Sequence, residues 1–257
     1  MLHANIGEDH VTGDMVGGEG GLQVRGQLGR NLTFGLLEVL GRSIVVGEYR
    51  GRAFPTEAEL VKLHGVSRSV TREAVKMLGA KGLLGARPKQ GTFVQPDEQW
   101  NLFDTDVLRW LLERKSSIVL LRRFNELRIG VEPQAAWLAA QRATADQRAA
   151  IAAGLVRMHD AEMGDDDTLD ADIAFHVAIL RASNNPFFVQ FREVVSTALR
   201  TSIRFTNRIS GRSASIADHA AVADAIQAGD AAAARAAMAK LIDDVLQLIE
   251  RDADQRE

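Results

Sequence analysis

Residues 54–94 read "FPTEAELVKLHGVSRSVTREAVKMLGAKGLLGARPKQGTFV". Thr56 followed three residues later by Glu59 is a capping box, and the short helix it opens ends at Gly65. Ser67 caps a second helix, "RSVTREAVKMLGAKG", which ends at Gly82. Two short extended pieces follow, "LLGARP" and "TFVQP", joined through "KQG" with Gly91 at the tight turn. Upstream, Leu32, Leu36, Leu37, Leu40 and Ile44 repeat with a helical period from Asn31 to near Gly47. Three helices and a small hairpin over 30–95 predict a winged helix-turn-helix, and the fold class expected is mainly α.

In such a module the helix opened by Ser67 enters the major groove with its N-terminal residues. These are Arg68, Ser69, Thr71 and Arg72, with Arg68 and Arg72 one turn apart on one face. An arginine can bind guanine O6 and N7 bidentately. Lys89 and Gln90, beside Gly91, sit at the wing tip, where a cation meets phosphate or the minor groove. A solvated charged face is the competing reading of the two arginines. Local charge favours a polyanion: residues 30–95 hold eleven Lys/Arg against five Asp/Glu, whereas 96–257 carry a net −6.

The remaining composition bounds the function further. With 257 residues, 46% hydrophobic and 25% charged, two domains are expected. The absence of cysteine excludes disulfides, thiolate zinc sites and cysteine nucleophiles. No apolar run approaches the roughly 18–20 residues of a membrane span, and the N-terminus lacks a secretory pattern. A cytoplasmic protein is expected. Residues 1–29 are polar and glycine-rich and read as a disordered tail, with both Met1 and Met15 compatible as starts.

After a linker at 96–103, residues 104–252 read as helices alone: 104–114, 117–143, 145–163, 168–183, 186–209, 214–228 and 230–252. That pattern predicts an antiparallel bundle, whose core is a place for a ligand site. "DIAFHVAIL" (172–180) puts Asp172 and His176 on one face of an apolar helix. Of the six histidines, His176 and His219 are the two on core-like helices of the bundle. Asp172, His176 and His219 together suit zinc, with nickel, manganese or iron as alternatives. A buried ion pair is the competing reading.

The stretch 54–94 resembles the winged-helix signature of GntR-family bacterial transcriptional regulators, with Arg68, Arg72 and Gly91 at matching places and Ala58 where relatives often carry a polar residue. "NELRIGVEPQAAWLAAQRAT", "DADIAFHVAILRASNNPFF" and "ADHAAVADAIQAGDAAAARAAM" resemble the FCD ligand-binding domain of the FadR subfamily. That resemblance implies a divalent metal held by one Asp and three His beneath an effector. Asp172, His176 and His219 match the first three positions, and Leu241 occupies the fourth, leaving water or the effector's carboxylate to complete the shell. "QWNLFDTDVLRWLLE" (99–113) resembles family members that regulate galactonate catabolism, which implies a sugar-acid effector.

The resemblance also places Arg128 over the pocket, where it can take a carboxylate. Glu132, one turn along the same helix, is a second effector candidate, and the alternative for the two is an intrahelical pair. Arg200, Arg204 and Asn207 follow one helix face and are candidates for sugar hydroxyls. The expected function is a homodimeric repressor released from operator DNA by a small carboxylate. Two alternatives are a metal-dependent enzyme built on Asp172, His176 and His219, and a ligand-independent DNA-binding protein.

Overall fold

The computed structural model describes residues 19–88, 91–114, 118–200 and 215–254. Helix α1 spans Glu19–Val46, so it begins ahead of the Asn31 start that the apolar repeat suggests, and 19–29 are helix rather than tail. Leu22, Gln23, Arg25, Gln27 and Leu28 are good helix formers, and Gly26 and Gly29 only interrupt the apolar period. Helix α2 (Glu57–His64) has the expected capping box: Thr56 Oγ1 accepts from the Glu59 amide and the Glu59 carboxylate accepts from the Thr56 amide at 2.8 Å. Helix α3 (Arg68–Ala80) starts where Ser67 accepts from the Val70 amide.

Strands β1 (Leu84–Arg87) and β2 (Gly91–Val94) pair antiparallel, with Arg87 opposite Gly91. Gly91 has φ 80°, a left-handed conformation that favours glycine at this turn. Leu37, Leu40, Ile44, Leu60, Ala74, Leu78 and Leu83 form the core beneath.

The segment expected as the linker, 96–103, is packed at Trp100. A 3-10 turn at Asp97–Gln99 leads to Trp100, which is buried in the first core and donates its indole N–H to the Gln95 carbonyl at 3.0 Å. Gly82 is required there, because a Cβ would lie 2.3 Å from the Gln99 carbonyl oxygen. Helix α4 (Thr105–Leu112), expected as the first bundle helix, belongs to both cores. Val107, Trp110 and Leu111 join the first core, while Leu108 and Leu112 join the second. The Trp110 ring covers Gly41 so closely that a Cβ would sit 2.3 Å from it. Two tryptophans supply the apolar area that fixes this junction.

Charges lock the same contact. Arg109 donates to both Glu38 oxygens at 2.8 Å, and Lys81 bridges Asp104 and Asp106 at 2.8 Å each. The hydrogen bond from Arg109 outweighs partial burial and, with Arg42, holds the Glu38 carboxyl down to about 2 from 4.5. A depressed folded pKa stabilises above the unfolded value and is lost as pH falls through the folded one. The difference in Tm between wild type and Glu38→Gln is therefore expected to be constant near neutrality and to shrink between pH 4.5 and about 2. Melting curves across that range check it; a difference growing towards acid would contradict it.

The second core is built from α5 (Ile118–Arg142), α6 (Ala145–Met163), α7 (Thr168–Ala182), α8 (Pro186–Gln190), α9 (192–200), α10 (Ile216–Ala228) and α11 (Ala231–Asp254). The single helix expected at 186–209 is broken at Phe191 into α8 and α9, and 201–214 lie outside the described residues. Helix α5 is central, packed by α11, α7 and α10, and α6 lies on α7. Gly154 permits that last contact, since a Cβ would be 3.0 Å from Phe175 Cα. Among the described residues no helix is long and apolar enough to cross a membrane.

Candidate functional site

Two surfaces carry chemistry. On α3, Arg68, Ser69 and Arg72 are exposed, as a groove-reading face requires. Thr71 is not part of it: its side chain is fully buried and its hydroxyl donates to the Ser67 carbonyl at 3.2 Å. The helical period turns position 71 inward beside Val70 and Ala74. Arg72 is only loosely engaged, 3.4 Å from Glu57. Lys76, one further turn along, extends the cationic row; the repeat of Arg68, Arg72 and Lys76 at every fourth residue is a signal the sequence reading passed over. Gly91 sits at the wing as expected, whereas Lys89 and Gln90 lie outside the described residues. On β1, Arg87 stacks over the Phe93 ring at 4.5 Å.

The second surface is internal. Asn125, Arg128 and Glu132 on α5, Asp172 and His176 on α7, and His219 on α10 are all buried. Buried charges of this density require compensation. Glu132 provides much of it: Oε1 accepts from Arg128 Nε at 2.6 Å, and Oε2 lies 2.5 Å from His176 Nδ1. Burial raises the Glu132 carboxyl, and Arg128 and His176 more than reverse this, bringing it to about 2. Burial likewise raises Asp172, but His219, His176 and Arg128 lower it overall.

These bonds fix both histidine tautomers. A carboxylate can only accept, so His176 Nδ1 carries the proton facing Glu132, and a guanidinium can only donate, so Nε2, 3.4 Å from Arg128 Nη2, presents its lone pair there. The Ser215 carbonyl, 2.7 Å from His219 Nδ1, does the same for the second ring. Among the described residues His219 Nε2 is left buried without a hydrogen-bond partner, although Asp172 Oδ1 lies 2.9 Å away. An N–H···O bond would use that distance; this approach is off its line. One donor atom from each of Asp172, His176 and His219 lies within 4.8 Å of the other two. Two Nε2 lone pairs and a carboxylate converging on one point, each imidazole backed by an acceptor, suit a divalent cation. Phe175, fully buried, packs its ring edge-on to both imidazoles at 5.9 and 5.1 Å and screens them from water.

The structure thus brings Asp172, His176 and His219 together with Arg128 and Glu132. Glu132 faces its own helix neighbour and His176. Asn125 was missed by the sequence reading; its Oδ1 accepts from Arg128 Nη1 at 3.1 Å and its Nδ2 donates to the Leu121 carbonyl at 2.9 Å. Arg200 is not in the cluster: it is half-exposed and pairs with Asp170 at 2.8 Å. Arg204 and Asn207 lie outside the described residues. Leu241, buried in the apolar bundle core, supplies no fourth ligand.

Comparison with known proteins adds an independent view. Residues 36–94 match the model described as "Bacterial regulatory proteins, gntR family", and residues 124–244 match that of the FCD domain. The chain is 36% identical over 208 residues to the HTH-type transcriptional regulator YieP of Escherichia coli (strain K12), covering 80% of this chain and 90% of that protein. It is 36% identical over 207 residues to the galactonate operon transcriptional repressor of the same organism, covering 79% and 90%. In fold it is similar to the solved structure of Lar from Listeria monocytogenes, with a TM-score of 0.50 at 17% identity over 85% of this chain and 96% of that one.

Proposed function

This chain belongs to the GntR family of bacterial regulatory proteins and carries an FCD domain, and on that premise we propose that it is a homodimeric repressor released from its operator by a sugar acid at a metal-centred pocket. Family membership makes it a DNA-binding transcriptional regulator rather than an enzyme.

The observation that carries the effector class is the charge of the buried cluster. When both Nε2 atoms bind a metal the imidazoles are neutral, so Asp172 and Glu132 contribute two negative charges and Arg128 one positive, and the set that meets the ion carries one negative charge. A divalent ion reverses the sign, and a monocarboxylate restores neutrality. Asp172, His176 and His219 would hold the ion, zinc by its preference for nitrogen and oxygen donors, and the ion would supply positive charge for the carboxylate. Galactonate is the effector favoured by the relative's name and by the likeness of residues 99–113.

The pocket has a route to the DNA module. Arg128 and Glu132 ride on α5, which follows α4 in the chain, and α4 is anchored in both cores through Leu108 and Trp110. An effector shifts the operator-bound arrangement only by its differential affinity for the two states. Thermal-shift screening of sugar acids against the full chain, with and without EDTA, tests the reading. Stabilisation by galactonate that EDTA removes is expected; a flat profile over all sugar acids would end the proposal.

At the DNA surface, Arg68→Ala is expected to cost about 1–3 kcal/mol of operator binding and to relax base preference at one position. Lys89→Ala is expected to weaken all sequences alike and reduce the salt slope by about one. Anisotropy titrations at fixed salt check both, and an Arg68→Ala protein with unchanged affinity and specificity would place the reading face elsewhere. One winged helix offers little interface, so two half-sites read by a dimer are expected. Light scattering at micromolar concentration reports the dimer; a monomer that still binds a half-site tightly would contradict it.

A further inference from the structure

We propose that Arg128 is a displaceable counter-cation of the pocket: it holds the His176 Nε2 lone pair until a divalent ion takes it, and only then offers its Nη2 to the effector's carboxylate. The inference rests on the metal reading given above and adds an order of binding, metal before effector.

The guanidinium uses all three nitrogens. Nε donates to Glu132 at 2.6 Å, Nη1 to Asn125 at 3.1 Å, and Nη2 faces His176 Nε2 at 3.4 Å. With Nδ1–H committed to Glu132 and a guanidinium donor facing Nε2, His176 offers one lone pair, at Nε2. A guanidinium N–H and a metal ion both need that lone pair, and they cannot share it. The contact to His176 is the longest of the three, so it is the one Arg128 gives up. The bonds to Glu132 and Asn125 stay and serve as a pivot.

Arg128 is 2% exposed, so a released Nη2 is a buried donor whose new partner has to enter the pocket. It becomes an unsatisfied buried donor beside a new positive charge. A carboxylate answers both needs, accepting from Nη2 and separating the two cations. Binding of the ion and of the carboxylate are therefore positively coupled, and the coupling is reciprocal. A purely structural Arg128, paired with Glu132 to fill the core, would leave only the ion's own attraction for the carboxylate to couple the two.

The test is a zinc titration of the full-length protein against a chromophoric chelator, for wild type and Arg128→Gln, with and without galactonate. Without galactonate, Arg128→Gln is expected to bind zinc about tenfold or more tighter, within the usual range of site-to-site coupling. Galactonate is expected to tighten zinc binding to wild type by a larger factor than to the variant, where only the ion's own attraction for the carboxylate remains. A folded Arg128→Gln protein with wild-type or weaker zinc affinity would overturn the role of Arg128 while leaving the metal site standing. Zinc bound by neither protein would bring down the metal site and this inference together. Should the variant not fold, wild-type NMR decides: the Arg128 guanidinium and His176 imidazole nitrogens are both expected to shift on adding zinc alone. Arg128 resonances that stay still at saturating zinc would overturn the proposal.

Discussion

His176→Ala is expected to empty the protein of zinc, from one ion per chain to near none, and to abolish release from the operator. The substitution removes one Nε2 donor and breaks the link from Glu132 to the pocket, leaving Asp172 and His219, too few ligands for a stable site. The exposed cationic face of α3, proposed to read the operator, is far along the chain and built on its own core, so operator affinity is expected to persist. Elemental analysis of protein purified without chelator, beside operator titrations, reads both effects. A cluster serving only as a core ion pair predicts the opposite pattern: no metal in wild type, and a loss of stability as the main consequence.

Glu132→Ala is expected to be the most destabilising single change in the cluster, at about 3–5 kcal/mol, the range for breaking a buried pair from one side. It strands Arg128 in the core with Asn125 as its remaining oxygen acceptor and frees His176 Nδ1 from the acceptor that sets its tautomer. Glu132→Gln retains the shape and hydrogen-bonding capacity and is expected to lose less. Urea unfolding of the two variants separates these contributions. A loss below about 1 kcal/mol for Glu132→Ala, as small as that of an exposed ion pair, would contradict the expected cost of breaking this buried one.

How much of the fold and the site is legible in the sequence depends on how local the signal is. The caps at Thr56 and Ser67 and the glycine at 91 are short-range signals, and they locate α2, α3 and the wing. The three residues Asp172, His176 and His219 stand out because both imidazoles lie on apolar helices, where a polar side chain needs a partner, and one of them is four residues from an aspartate. The allotment of α4 is not legible: Trp100 and Trp110 announce burial but not which core receives them. The break at Phe191 carries no Gly or Pro at the point of interruption. Arg128 and Glu132 show the same four-residue spacing whether they lie on a surface or in a core. Only packing against α7, which puts His176 beside both, decides it. Thr71 misleads for a simpler reason, since a polar side chain at the start of a recognition helix can satisfy its own backbone and turn inward.

On the proposed function, operator release is driven by a carboxylate at a metal-centred pocket. The most direct measurement is the Kd for labelled operator by anisotropy, with galactonate titrated into zinc-loaded and EDTA-stripped protein at one salt concentration. A rise in Kd of about tenfold or more is expected for the loaded protein, a typical coupling between two sites, and little change for the stripped protein. Equal release from both forms, or none from the loaded form, would contradict it.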